Sequence, residues 1–127
     1  MTSVDTNVVI RLLMADDAVQ TAAARALFAA GPVWIAKTVW LETAWVLGSH
    51  YGFDERKIRE ALTEVLAFPN VHGEDKPSIA AALELTEHGV DFADALHLTS
   101  RPPGAAFVSF DRTFVRRAKR AGVTEIS

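Results

Sequence analysis

The chain has 127 residues, the size of one ordinary domain, so a single domain over residues 1–127 is expected. Half of the residues are hydrophobic and 23% are charged, which supports a buried core and excludes a disordered chain. The net charge of −3 excludes a polycation, and the absence of cysteine excludes disulfides, a thiol nucleophile and zinc-thiolate sites.

The amino terminus, Met1 to Asp5, lacks a basic region followed by a long apolar run, so no secretory signal is visible. The longest mostly apolar stretch, Thr38 to Ser49, is interrupted by Glu42 and is too short to span a bilayer. No membrane association is expected, and a cysteine-free chain suits a reducing cytoplasm.

Elements alternate along the chain. Thr2 to Asp5 reads as a short strand, followed by helix from Asn7 to about Met14. Asp17 to Ala29 is a second, Ala-rich helix ended by Gly31-Pro32. Val33 to Ala36 is an apolar run after that breaker and reads as a strand. Thr38 is placed to cap a helix to about Ser49, and Asp54 caps the next, which reaches Ala67. Asn70 to His72 reads as a short strand, and a helix runs from Lys76-Pro77 to near His88-Gly89. Asp91 caps a helix stopped by Pro102-Pro103-Gly104, and Ala105 to Ser109 is the clearest strand. Asp111 starts a helix ending at Ala121-Gly122, and Val123 to Ile126 suits an edge strand. Strands separated by helices predict an α/β fold with a mostly parallel sheet, whose sites form at the carboxyl ends of the strands.

Carboxylates stand at the ends of these elements. Asp5 and Asp111 each follow a strand, and each also suits the N-cap of the helix it precedes. Glu42 lies among Val39, Trp40, Leu41, Ala44, Trp45, Val46 and Leu47. A helix so apolar is expected to be largely buried, and a buried carboxylate needs a partner. The alternative is an exposed stripe, or a salt bridge to Lys37 or Arg11. Asp91 and Asp94 form Asp-x-x-Asp at a helix start, with Asp91 mainly the cap and Asp94 the better ligand candidate. Four carboxylates on one rim repel without cations. Two Mg²⁺ or Mn²⁺ ions would neutralise Asp5, Glu42, Asp94 and Asp111, and ions roughly 4 Å apart can activate water for in-line displacement at phosphorus. His97 suits a surface partner of Asp94, and His50, His72 and His88 share no zinc spacing. Thr6, Asn7 and Ser109 lie beside the acids, where they can support them or cap helices.

The segment from Arg112 to Arg120 carries Arg112, Arg116, Arg117, Lys119 and Arg120 without an acid. On a helix, Arg112, Arg116 and Lys119 or Arg120 share a face, leaving Phe114, Val115 and Ala118 for the core. This is either a phosphate-binding strip beside Asp111 or a solvated face.

The segments Val4-Asp5-Thr6-Asn7-Val8-Val9-Ile10, Glu42 within Val39 to Leu47, Asp91-Phe92-Ala93-Asp94-Ala95-Leu96-His97 and Val108-Ser109-Phe110-Asp111-Arg112-Thr113-Phe114 resemble, in order and spacing, those of PIN-domain ribonucleases, specifically VapC-type toxins of toxin–antitoxin pairs. The resemblance implies a three-layer α/β/α sandwich around a mostly parallel sheet and Mg²⁺- or Mn²⁺-dependent RNA cleavage. It makes Asp5, Glu42, Asp94 and Asp111 catalytic metal ligands, with Asp5 central, Thr6, Asn7 and Ser109 supporting and Asp91 auxiliary. It also implies a homodimer silenced by a small antitoxin whose tail lies in a groove. Trp40, Trp45, Leu47 and Tyr51 suit groove, dimer or core positions.

Rival readings remain open. An aspartyl-phosphate enzyme wants a second Asp two residues after the first, where Asn7 stands. A receiver domain wants paired acids at the first strand and a phosphoacceptor Asp after the third, and neither occurs. A PIN nuclease of RNA processing that is no toxin, or a non-catalytic binding module with an acid pocket, completes the set.

Overall fold

The computed structural model describes residues 1–127, and its chain divides into two units, Met1–Lys76 and Pro77–Ser127. The first unit holds β1 (Thr2–Ser3), α1 (Thr6–Met14), α2 (Ala18–Ala30), β2 (Val33–Ile35), α3 (Lys37–Ser49), α4 (Glu55–Ala67) and β3 (Val71–Gly73). The strands form one parallel sheet in the order β1-β2-β3, with Thr2 opposite Val33 and Val33 opposite Val71. Parallel neighbours need long crossovers, and the helix pairs α1–α2 and α3–α4 supply them. This is the α/β architecture that the alternating pattern predicts.

Side chains set the helix starts. Asp5, Asp17 and Asp54 accept the backbone N–H groups of Val8 (3.3 Å), Gln20 (3.0 Å) and Lys57 (2.9 Å), each satisfying an amide that the helix leaves free. The cap expected from Thr38 is not made. α3 begins two residues earlier than that cap would set it, its N-cap position is Ala36, and Glu74 accepts the Lys37 N–H at 2.6 Å. A carboxylate beyond β3 does the work assigned to the local hydroxyl.

The core of this unit includes Val33 and Ile35 of β2, Val71 of β3, Trp40 and Leu47 of α3, and Leu62 and Val65 of α4, all no more than 2% exposed. Helix α1 packs on α2 and α3, and α4 meets both α3 and β3. Gly73 is required where β3 passes β2, because a Cβ there would stand 2.7 Å from the Ile35 carbonyl oxygen.

The second unit is built from α5 (Lys76–Thr86), α6 (Phe92–Thr99) and α7 (Arg112–Arg120). Helices α5 and α6 are tied by reciprocal bonds, Ser78 Oγ to the Thr99 carbonyl and Thr99 Oγ1 to the Ser78 carbonyl, both 2.9 Å. The strands predicted at Ala105–Ser109 and Val123–Ile126 shrink to one parallel bridge, Phe107 to Ile126. Its hydrogen bonds join Phe107 N–H to Glu125, Ser127 N–H to Phe107 and Ser109 N–H to Ser127 at 2.8–3.0 Å. The physical reason is Glu125, whose φ of 57° takes the partner segment out of extended conformation. No helix is long and apolar enough to cross a membrane.

Candidate functional site

In the first unit, Asp5 sits at the β1-to-α1 turn as the N-cap of α1. Thr6 is buried in the first turn, and Asn7 is exposed beside it. Asp5, Thr6, Asn7 and Glu42 line one cavity of about 400 Å³ between α1 and α3. The two acids expected from this half of the sequence therefore open on the same space.

Glu42 is exposed, not buried. It belongs to a stripe along α3 formed by Thr38, Glu42, Trp45 and Ser49, all exposed, while Trp40, Thr43, Ala44 and Leu47 face the core. The helix is apolar in composition but turns one narrow polar stripe outward, at i, i+4, i+7 and i+11 spacing. Neither expected salt bridge to Glu42 forms. Lys37 pairs with Asp75 at 2.9 Å, and Arg11 pairs with Asp16 at 2.8 Å. Trp40 and Leu47 are core residues rather than groove residues, whereas Trp45 is 69% exposed and lines the cavity.

Arg11 and Tyr51, named in the sequence as an alternative partner of Glu42 and as a groove, dimer or core position, line this cavity, and Asp16 and Gln20, which the sequence did not single out, hold Arg11. Arg11 donates to Gln20 Oε1 at 2.7 Å and to Asp16 Oδ1 at 2.8 Å, and the Tyr51 hydroxyl donates to Asp16 Oδ2 at 2.8 Å. The Tyr51 hydrogen bond, together with Arg11, holds the Asp16 carboxyl below its ordinary value, and the same network raises the Arg11 guanidinium further. One sequence signal pointed here: Arg11 is the lone charge in the apolar helix Thr6–Met14, and such a cation needs partners. Asp16, adjacent to the capping Asp17, is the nearest acid able to reach it.

In the second unit, Asp91, Asp94 and Asp111 stand at the starts of α6 and α7. Asp91 caps α6 as expected, accepting the N–H groups of Ala93 (3.1 Å) and Asp94 (3.4 Å). Asp111 caps α7 through Phe114 N–H at 3.0 Å, so both roles open to it in the sequence bear on the same side chain. Ser109 Oγ accepts the Asp111 N–H at 3.1 Å, and the Ser109 carbonyl accepts from the Arg112 guanidinium. Ser109 thus builds the turn that presents Asp111.

Asp94 is the electrostatically stressed member. Burial, then the charges of Asp91 and Asp111, push its carboxyl above the ordinary carboxylate range, with His97 acting in the opposite sense. His97 is itself exposed, as a surface partner of Asp94 should be.

Helix α7 buries Phe114, Val115 and Ala118 and leaves Arg112, Arg116, Arg117, Lys119 and Arg120 exposed. The predicted face is present, although Arg117 is committed to the Gly89 carbonyl at 2.9 Å.

These donors suit a hard divalent cation chemically, since all are carboxylate oxygens, and the stress on Asp94 is the kind a cation relieves. The ligand set is not closed as the chain stands, because no three acidic or histidine side chains lie close enough to hold one ion.

No curated protein matches the chain. The PIN domain family profile matches residues 3–120, a span that contains every acid described above. The match covers nearly the whole sequence, and the chain therefore belongs to the PIN domain family, whose members are generally metal-dependent nucleases.

Proposed function

We propose that this chain is a divalent-metal-dependent endoribonuclease, the toxin of a toxin–antitoxin pair, with its two units working as one domain. The observation that carries the reading is the family match across residues 3–120, which runs through both units and through Asp5, Glu42, Asp94 and Asp111. The burial of Asp94 beside the charges of Asp91 and Asp111 supports it, because a bound cation would stabilise a carboxylate so placed. The toxin role, the antitoxin and the homodimer rest on the sequence resemblance alone.

Asp5, Glu42, Asp94 and Asp111 would hold Mg²⁺ or Mn²⁺. When bound, such ions supply charge neutralisation at the scissile phosphate and a more acidic water. The reaction is hydrolysis: a water oxygen bonds to phosphorus, the bond from phosphorus to the 3′ oxygen breaks, and that oxygen leaves with a proton. No covalent protein nucleophile takes part. Ser109 and Asp91 act as positioning residues, the first through the Asp111 turn and the second through the α6 terminus. Arg112, Arg116, Lys119 and Arg120 supply sequence-independent affinity for the RNA backbone.

Replacement of Asp5, Asp94 or Asp111 by Asn should abolish RNA cleavage that wild type performs only with Mg²⁺ or Mn²⁺. Retained cleavage in all three variants, with contaminating nuclease excluded, overturns the assignment. Expressing the chain alone, and together with the product of its neighbouring gene, tests the toxin role. Growth arrest with discrete RNA ends, relieved by the neighbour, is the expected result.

A further inference from the structure

The cavity shared by Asp5 and Glu42 measures about 400 Å³, within the usual range of small-ligand sites. Trp45 lines it while remaining 69% exposed. The chain's other tryptophans are spent on packing, Trp40 fully buried and Trp34 half-buried. Thr38, Glu42 and Ser49 are the exposed residues of its own stripe, and the apolar residues that line the cavity with it, Ile10 and Val46, are buried and half-buried. A second copy of the chain would want a contiguous apolar patch, which this stripe does not offer.

The wall behind Trp45 is held in place. The Tyr51 hydroxyl is tied to Asp16 at 2.8 Å, and Arg11 is fixed by Gln20 and Asp16. The His50 ring meets Tyr51 edge-on, with centroids 5.0 Å apart and an interplanar angle of 80°. Rings, a cation and carboxylates thus line one cavity. Glu42 precedes Trp45 by three residues on α3, so their side chains are neighbours on the helix surface.

We propose that this cavity is the subsite for one unpaired nucleotide of the RNA, its base stacked on Trp45 beside the carboxylates that act on the backbone. This rests on the nuclease reading and deepens it, by naming the cavity and the ring that receive one base. Every base has a π-face, so the subsite accepts any base, but only one that is free of a helix can present that face.

The test uses the full chain with Asp111→Asn to prevent cutting, a short unstructured oligoribonucleotide, and an abasic oligomer of equal length. Binding of the intact oligomer should quench the emission of Trp45, and Trp45→Phe should remove most of that quench while keeping most of the affinity. Trp45→Ala should weaken binding by roughly 5- to 150-fold, the range that loss of one base–aromatic stack gives. Ala is a strong helix former at an exposed position, so the variant should fold, and an unchanged melting curve checks this. The abasic oligomer should bind wild type more weakly than the intact one, and bind Trp45→Ala equally. Unchanged affinity in Trp45→Ala, or equal binding of both oligomers to wild type, sinks the subsite while leaving the nuclease reading standing. Dissociation of a dimer by Trp45→Ala at unaltered RNA affinity assigns the face to a second copy and also overturns it. Failure of wild type to bind or cut any RNA overturns the nuclease reading itself.

Discussion

Asp111 does two separable jobs, and two substitutions pull them apart. Its Oδ1 caps α7 at 3.0 Å from Phe114 N, and its charge presses on Asp94. Asp111→Ala removes cap and charge together. Loss of an N-cap costs about 1 kcal/mol. For a chain of 127 residues that corresponds to a fall in melting temperature of about 4 °C. Asp111→Asn keeps an amide oxygen that caps nearly as well and removes only the charge. In metal-free buffer its melting temperature should equal or slightly exceed that of wild type, because Asp94 loses a like-charged neighbour. Both variants should lose RNA cleavage to the same extent. Scanning calorimetry with and without EDTA, paired with an RNA cleavage assay, reads both quantities. The reasoning is refuted if Asp111→Asn melts as low as Asp111→Ala, since the cap would then not be what the carboxylate contributes.

Asp94 makes stability depend on acidity in a defined direction. Its folded-state carboxyl titrates above the ordinary value, so between the unfolded and folded pKa values the folded chain holds a proton that the unfolded chain has released. Metal-free wild type should therefore gain stability as pH falls through the folded value and stop gaining at the unfolded one, relative to Asp94→Asn. At neutral pH that variant should be the more stable by roughly 0.2–1 kcal/mol, the range for partly exposed charges. Gly73→Ala should lower the melting temperature, since the added Cβ forces β3 away from the Ile35 carbonyl, and thermal unfolding reads it. Tyr51→Phe should let the Asp16 carboxyl rise toward its ordinary value, visible in a carbon-detected NMR titration. Arg116→Gln should reduce the salt dependence of single-stranded RNA binding by about 0.7 in log–log slope, without affecting the fold.

Patterns within one element were legible in the sequence. The Asp5, Asp54, Asp91 and Asp111 starts follow from a carboxylate before a helical run, and each cap is made, as is one by Asp17, where the sequence placed a helix start. The split of α7 into Phe114, Val115 and Ala118 against its cations follows from helical spacing. What failed depended on distant partners. Thr38 was passed over because Glu74, far along the chain, takes the Lys37 amide. The strand at Ala105–Ser109 has suitable residues but a partner that leaves extended conformation at Glu125. Glu42 escapes the burial that its apolar neighbours predict, because the exposed stripe is set by the order of residues along α3 and not by their composition. The wall of Arg11, Asp16, Gln20 and Tyr51 joins residues up to forty positions apart, and of these only Arg11 and Tyr51 stand out in the sequence.

The way α1 and α7 begin bears on the proposed metal site. Asp5 and Asp111 each lend one oxygen to the amide of their own helix, which orients the carboxylate and leaves its other oxygen wholly uncommitted. If these residues hold an ion as proposed, each would most readily offer it one oxygen, aimed in advance. Calcium fills a shell of roughly six to eight oxygens, commonly with two-pronged carboxylates, whereas a smaller octahedral ion keeps several of its own waters and asks less of the protein. The proposed site would then favour the smaller ion, and the start of a helix would contribute to that preference.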